Sequence, residues 1–159
     1  METYYEQANL FHKQEQYSLE LDVLLEAEKY YPNDSTIQVK IGRAYRCQGK
    51  LDKAMQRYMK AVEMNPNEAS VYCNIGALYY FQNQLEMALP YYEKAYHIIE
   101  NNPELATKDD RGVIYANLAL CSGKLGDFSK VAECTAKAER EGYDKATLWD
   151  IEKQIGYRH

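Results

Sequence analysis

Large apolar and aromatic side chains recur along this chain at spacings of three and four residues, broken by short polar stretches. Tyr72, Ile75 and Tyr79 form one such stripe, and Leu51, Ala54, Met55, Tyr58, Ala61 and Val62 form another. Those offsets return a side chain to the same side of a helix. Polar breaks fall at Lys13-Gln14-Glu15-Gln16, Gln48-Gly49-Lys50 and Gln82-Asn83-Gln84. A Gly or Asn there suits the left-handed conformation that ends a helix. Firmer stops follow at Tyr31-Pro32-Asn33-Asp34 and Asn65-Pro66-Asn67, since proline cannot continue a helix. Ser35, and Asn67 or Glu68, offer N-cap and first-turn chemistry for the helices that come next. The pattern predicts helix pairs.

The pairs repeat. Pro32 and Pro66 lie 34 residues apart, and at the same offset Ala27 returns as Ala61 and Ala95, Leu24 as Tyr58 and Tyr92, and Phe11 as Tyr45 and Tyr79. Self-similarity at a fixed period marks supersecondary units that bury a continuous core only when stacked. The period predicts repeats over about 1–34, 35–68 and 69–102 of a single domain spanning 1–159. The eighth position of each repeat is small (Ala8, Gly42, Gly76, later Ala119), as is the twenty-seventh (Ala27, Ala61, Ala95, Ala138), so the paired helices can approach closely.

The register slips after the third repeat. Glu100 stands where proline is due and Pro103 comes late, which places an insertion near 100–111 ahead of a degenerate fourth repeat at 112–145. The second helix of repeat three is expected to run to about Asn101, and the first helix of repeat four to begin near Thr107-Lys108. Leu148, Trp149, Ile151 and Ile155 make an apolar stripe that predicts a capping helix over about 146–156.

The units resemble the tetratricopeptide repeat, whose pattern runs Trp-x2-Leu-Gly-x2-Tyr, then Ala-x3-Phe, then Pro. Repeat two reads Gln38-x2-Ile41-Gly42-x2-Tyr45, then Ala54-x3-Tyr58, then Pro66; repeat three reads Tyr72-x2-Ile75-Gly76-x2-Tyr79, then Ala88-x3-Tyr92. Repeat one keeps Tyr4, Ala8, Phe11, Leu24, Ala27 and Pro32 but departs at Gln7 and Glu20, where Leu and Ala are usual. The resemblance implies an all-α fold: a right-handed α-solenoid of about four helix–turn–helix repeats with a C-terminal capping helix. It also implies a concave groove, lined by the first helix of each repeat, that holds a peptide segment of a partner protein. A structural scaffold acting through self-association at an uncapped repeat end, with a homodimer as its product, is the alternative reading.

Composition narrows the function classes. A net charge of −5 argues against nucleic acid as a partner. No apolar run approaches the roughly 20 residues of a membrane span. The start METYYEQANLF carries no basic segment followed by an apolar core, so a cytoplasmic location with reduced thiols is expected and no membrane association. Cys47, Cys73, Cys121 and Cys134 show no ligand-like spacing, and His12, His97 and His159 fall in separate regions. No metal, cofactor or enzymatic activity is therefore expected. The pair Asp109-Asp110 reads as the start of a helix.

Candidate binding residues come from the groove positions that the resemblance implies. Of the 16 tyrosines, Tyr45, Tyr58, Tyr72, Tyr79, Tyr92 and Tyr115 occupy repeat-consensus positions and are expected in the core. Tyr80 and Phe81, with Tyr5, fall on the groove side and are candidate aromatic anchors. Lys40, Arg43 and Arg46 form a cationic ridge on one helix, suited to an acidic peptide. Asn74 and Asn117 share the sixth position of repeats three and four, a spacing suited to a peptide backbone; Asn9, His12 and Lys124 complete the candidate groove.

Overall fold

A computed structural model describes residues 2–144 and 153. The described residues form α1 (Glu2–Lys13), α2 (Tyr17–Tyr30), α3 (Ser35–Cys47), α4 (Leu51–Met64), α5 (Ala69–Phe81), α6 (Leu85–Asn101), a 3-10 turn (Pro103–Leu105), α7 (Lys108–Lys124) and α8 (Phe128–Arg140). No strand occurs among them. The fold is all-α, of the helical-repeat solenoid class. The capping helix expected over 146–156 lies, apart from Lys153, outside the described residues.

The chain divides after Asn67 into two compact units, Met1–Asn67 and Glu68–His159. In the first, α1 pairs with α2 and α3 with α4, and α2 packs on α3; in the second, α5 pairs with α6 and α7 with α8, α6 packs on α7, and α5 also meets α7.

Each hairpin turns in the same way. The fifteenth residue of each repeat adopts the left-handed conformation: Glu15 at φ 56°, Gly49 at 72°, Asn83 at 58° and Gly126 at 86°. The next amide then donates back across the turn, Gln16 to Phe11, Lys50 to Tyr45, Gln84 to Tyr79 and Asp127 to Ser122, each at 2.9 Å. These bonds close the orphan carbonyls of the first helix. Glu15 is a costly occupant of this position, because its Cβ crowds the following carbonyl.

Close approach inside the pairs follows one rule. A Cβ built on Gly42 would lie 2.5 Å from Tyr58 Cε1, and one on Gly76 would lie 2.9 Å from Tyr92 Cδ1. Tyr58 and Tyr92 are accordingly among the largest fully buried side chains. Where the eighth position carries a methyl group, at Ala8 and Ala119, the partner position holds the smaller Leu24 or Thr135, and all four are buried. The aromatic ring takes the space that the missing Cβ leaves.

Helix entry assigns each capping candidate its role, with Ser35 opening the first turn of α3 and Glu68 at the N-cap position of α5. Asp34, one residue before Ser35, caps α3: its Oδ1 accepts from Thr36 N at 2.8 Å and Ile37 N at 3.4 Å. Glu68 precedes α5 without a side-chain cap bond. At α7, Thr107 and Asp110 form a reciprocal capping box, with Asp110 N donating to Thr107 Oγ1 at 3.1 Å and Thr107 N donating to Asp110 Oδ2 at 3.3 Å.

The stretch after repeat three is ordered by lengthened helices. α6 and α7 run to 17 residues each, against 12 to 14 in α1 to α5. Between them Arg111 gathers the chain. One guanidinium nitrogen donates to the carbonyls of Pro103 at 2.9 Å and Ala106 at 2.8 Å, and another meets Glu141 at 2.8 Å.

Candidate functional site

In the first unit, the candidate residues come from α1 and α3. Residues 40, 43 and 46 fall three apart on α3, so their side chains leave one strip of the helix. Lys40 Nζ donates to Asn9 Oδ1 at 2.9 Å and lies 5.3 Å from the centre of the Tyr5 ring. Tyr5 in turn donates its hydroxyl to Asp34 Oδ2 at 2.8 Å. Asn9 and Lys40 therefore meet across two first helices.

Beneath this face sits a group absent from the candidate set. Glu20 is fully buried on α2, at the position that Ala54 and Ala88 occupy in the next two repeats. Its Oε2 lies 2.8 Å from His12 Nδ1 and its Oε1 lies 3.4 Å from Arg43 Nη2. A buried carboxylate persists only where cations and donors compensate its lost hydration. His12 and Arg43 do so here, with side chains 28% and 29% exposed. His12 also sets its ring edge-on to Tyr17 at 5.6 Å. The sequence does carry a signal for this cluster, namely a charged residue at a position otherwise filled by alanine. The cationic ridge is thus partly turned inward: Arg43 faces an internal acid, while Arg46 is half-buried.

In the second unit, the candidates come from α5 and α7. Asn117 Nδ2 donates to Cys73 Sγ at 3.3 Å, beside Asn74, whose own Nδ2 donates to the carbonyl of Ser70 at 2.8 Å. The two asparagines thus have separate partners, Asn117 across the helices on Cys73 and Asn74 on its own helix. Toward the other end of the same helices, Lys124 Nζ lies 4.6 Å from the centre of the Tyr80 ring, and Tyr80 meets Phe81 edge-on at 6.1 Å. Phe81 is 73% exposed, the most open large apolar side chain among the described residues. Of the consensus tyrosines, Tyr58, Tyr72, Tyr92 and Tyr115 are buried, while Tyr45 and Tyr79 are half-buried.

Other polar networks tie the second helices together. Lys60 and Arg57 converge on Glu28, at 2.8 and 2.7 Å. Burial opposes its ionisation, but hydrogen bonds from Lys60, Gln38 and Arg57 prevail and hold its carboxyl down to about 2. In the second unit Lys137 bonds Glu100 and the Tyr96 hydroxyl, and Tyr115 donates to Glu100 at 2.7 Å. These groups bind helix to helix within each unit. The buried thiols of Cys121 and Cys134 are pushed up by burial, to about 11 and about 12 respectively, which suits packing and not nucleophilic chemistry. Among the described residues no group of His, Cys, Asp or Glu is arranged to hold a metal ion, and no helix is long and apolar enough to cross a membrane.

Comparison with known proteins agrees with this architecture. Family descriptions match in two places, "TPR repeat" over residues 42–82 and "Tetratricopeptide repeat" over residues 69–102. No curated protein matches the sequence significantly. Among solved structures, the N-terminal domain of stress-induced protein-1 from C. elegans is 20% identical, with a TM-score of 0.61 over 77% of this chain and 94% of that one. PilW, described as a widely conserved type IV pilus biogenesis factor, is 18% identical with a TM-score of 0.78, covering 98% of this chain and 70% of its own. The pilF protein of Pseudomonas aeruginosa is 17% identical with a TM-score of 0.78, covering 96% and 68%. At these identities the likeness speaks to the fold alone.

Proposed function

We propose, for a chain that belongs to the tetratricopeptide-repeat family, that its first helices bind a peptide segment of a partner protein. Repeats of this family generally mediate protein–protein interaction. The finer reading is that α1 with α3, and separately α5 with α7, offer faces for an acidic or mixed peptide. The observation that carries it is the meeting of a cation with a side chain of another first helix in each unit: Lys40 with the amide of Asn9, and Lys124 over the Tyr80 ring next to exposed Phe81. Lys40, Arg43 and Arg46 would supply charge; His12 and Asn9 line the same face. Asn74 and Asn117 would serve the peptide backbone, and Tyr80 and Phe81 would seat an apolar side chain.

A labelled octaglutamate peptide, with a Gly-Ser peptide of the same length as control, tests the acidic preference by fluorescence anisotropy. Octaglutamate should bind at roughly micromolar affinity, about −8 kcal/mol, weaken as salt is raised, and be lost in the Lys40→Gln, Arg43→Gln, Arg46→Gln triple variant. Glutamine is the better replacement, because glutamate at residue 43 would face buried Glu20 and disturb the unit itself. Octaglutamate binding unmoved by the triple variant would rule out the acidic-peptide reading of the first unit.

A further inference from the structure

We infer that His12 is a positioning residue: it occupies the buried carboxylate of Glu20 so that Arg43 stays available to a ligand carboxylate. The inference rests on the acidic-peptide reading of the α1 and α3 face. Glu20 is fully buried on α2 and must find its compensation among nearby donors. His12 takes the short contact, at 2.8 Å, and Arg43 the long one, at 3.4 Å. A well-formed contact between guanidinium and carboxylate closes to about 2.7–2.9 Å and is often forked. Arg43 offers a single nitrogen at the outer limit of that contact, and its Nε is buried without a hydrogen-bond acceptor among the described residues. Glu20 thus engages the guanidinium through one long contact only, and the side chain keeps 29% of its surface exposed for a ligand to meet.

Glu20 is therefore an internal competitor for any carboxylate that approaches Arg43, and His12 is what keeps that competitor occupied. Without the imidazole, the carboxylate has Arg43 as its remaining charged contact among the described residues. Burial then draws the guanidinium inward into a closer pair, away from the face. Repeats two and three have no such competitor, since Ala54 and Ala88 fill the position. The acid and the imidazole thus act as an opposed pair that sets how strongly the α3 face attracts negative charge.

Four proteins test this: wild type, His12→Ala, Glu20→Ala and the double variant, each measured with labelled octaglutamate. His12→Ala should bind about tenfold more weakly, a loss of about 1.4 kcal/mol. Glu20→Ala should bind at least as tightly as wild type, and the double variant should return to within about twofold of it, a coupling expected of groups in one network. A structural role for His12 alone predicts no rescue, so a double variant as weak as His12→Ala overturns the inference. Because alanine is the residue of repeats two and three, Glu20→Ala is expected to fold, and thermal melts of all four proteins check that. A crystal structure of His12→Ala reads the same inference without any ligand. Arg43 should close on Glu20 from 3.4 Å to about 2.8 Å; a distance still near 3.4 Å overturns the inference whatever the peptide does. Wild-type octaglutamate binding unaffected by Arg43→Gln, with the closed pair seen in the crystal, would instead discard the acidic-peptide reading and keep the competition between His12 and Arg43.

Discussion

In Met1–Asn67 the α3 face sends Arg43 inward to buried Glu20 while Lys40 bonds Asn9 at the surface, whereas in Glu68–His159 Lys124 lies over the Tyr80 ring and Phe81 stands 73% exposed. Both units are built from the same hairpin, with the same left-handed fifteenth residue and the same exchange of Gly for Tyr inside the pair. One core position contributes directly to the difference between their faces. Alanine at residue 88 puts no charge in the core of the second unit at this position, while glutamate at residue 20 recruits its neighbours. A repeat can thus keep its backbone and change the electrostatic character of its surface from beneath.

Charge reversal should expose this contrast most strongly. Arg43→Glu sets a second acid beside Glu20 and should cost about 3 kcal/mol, the scale of a broken buried pair. Lys124→Glu, on an exposed side chain of the second unit, should stay within about 0.5 kcal/mol. Denaturant titration of both variants reads the difference, and equal losses would remove the distinction between the two faces.

The shared feature of the units can be broken next. Gly42→Ala drives a methyl group into Tyr58 and should cost about 2 kcal/mol through overpacking. Adding Tyr58→Leu recreates the Ala8 and Leu24 solution of repeat one and should recover more than half of that loss. A double variant less stable than Gly42→Ala would show that the two positions are not one packing unit.

The smallest expected effect concerns the turns. Glu15→Gly relieves a non-glycine residue at φ 56° and should raise stability by about 1 kcal/mol. The corresponding Gly49→Glu change, at φ 72°, should lower it by a similar amount. Thermal melts suffice, and a neutral Glu15→Gly would mean that the side chain contributes elsewhere what its backbone loses.

Much of the architecture was legible because it repeats. The spacing of Tyr72, Ile75 and Tyr79 marks a helix face, and α5 forms there; Asn101 and Lys108, read from a slipped register, are where α6 ends and α7 begins. Before α3, Ser35 and Asp34 are both good capping residues, and only the backbone path decides that Asp34 caps while Ser35 opens the first turn. The candidate faces were legible in part. Periodicity put Lys40, Arg43 and Arg46 on one strip, yet it carried no information on which neighbour each cation would meet.

By itself the sequence determined the helices, their pairing and the small positions that let them approach, because these depend on local spacing and on volume repeated every 34 residues. Only the tertiary structure decided the state of the charges. His12, Glu20 and Arg43 sit on three different helices, the first two 8 residues apart and the last two 23 apart, and no periodicity couples them. Their meeting follows from burial: a carboxylate removed from water on α2 must be compensated by whatever cations and donors the fold brings within reach. That condition turns a plain row of basic residues into a face whose charge is set from within.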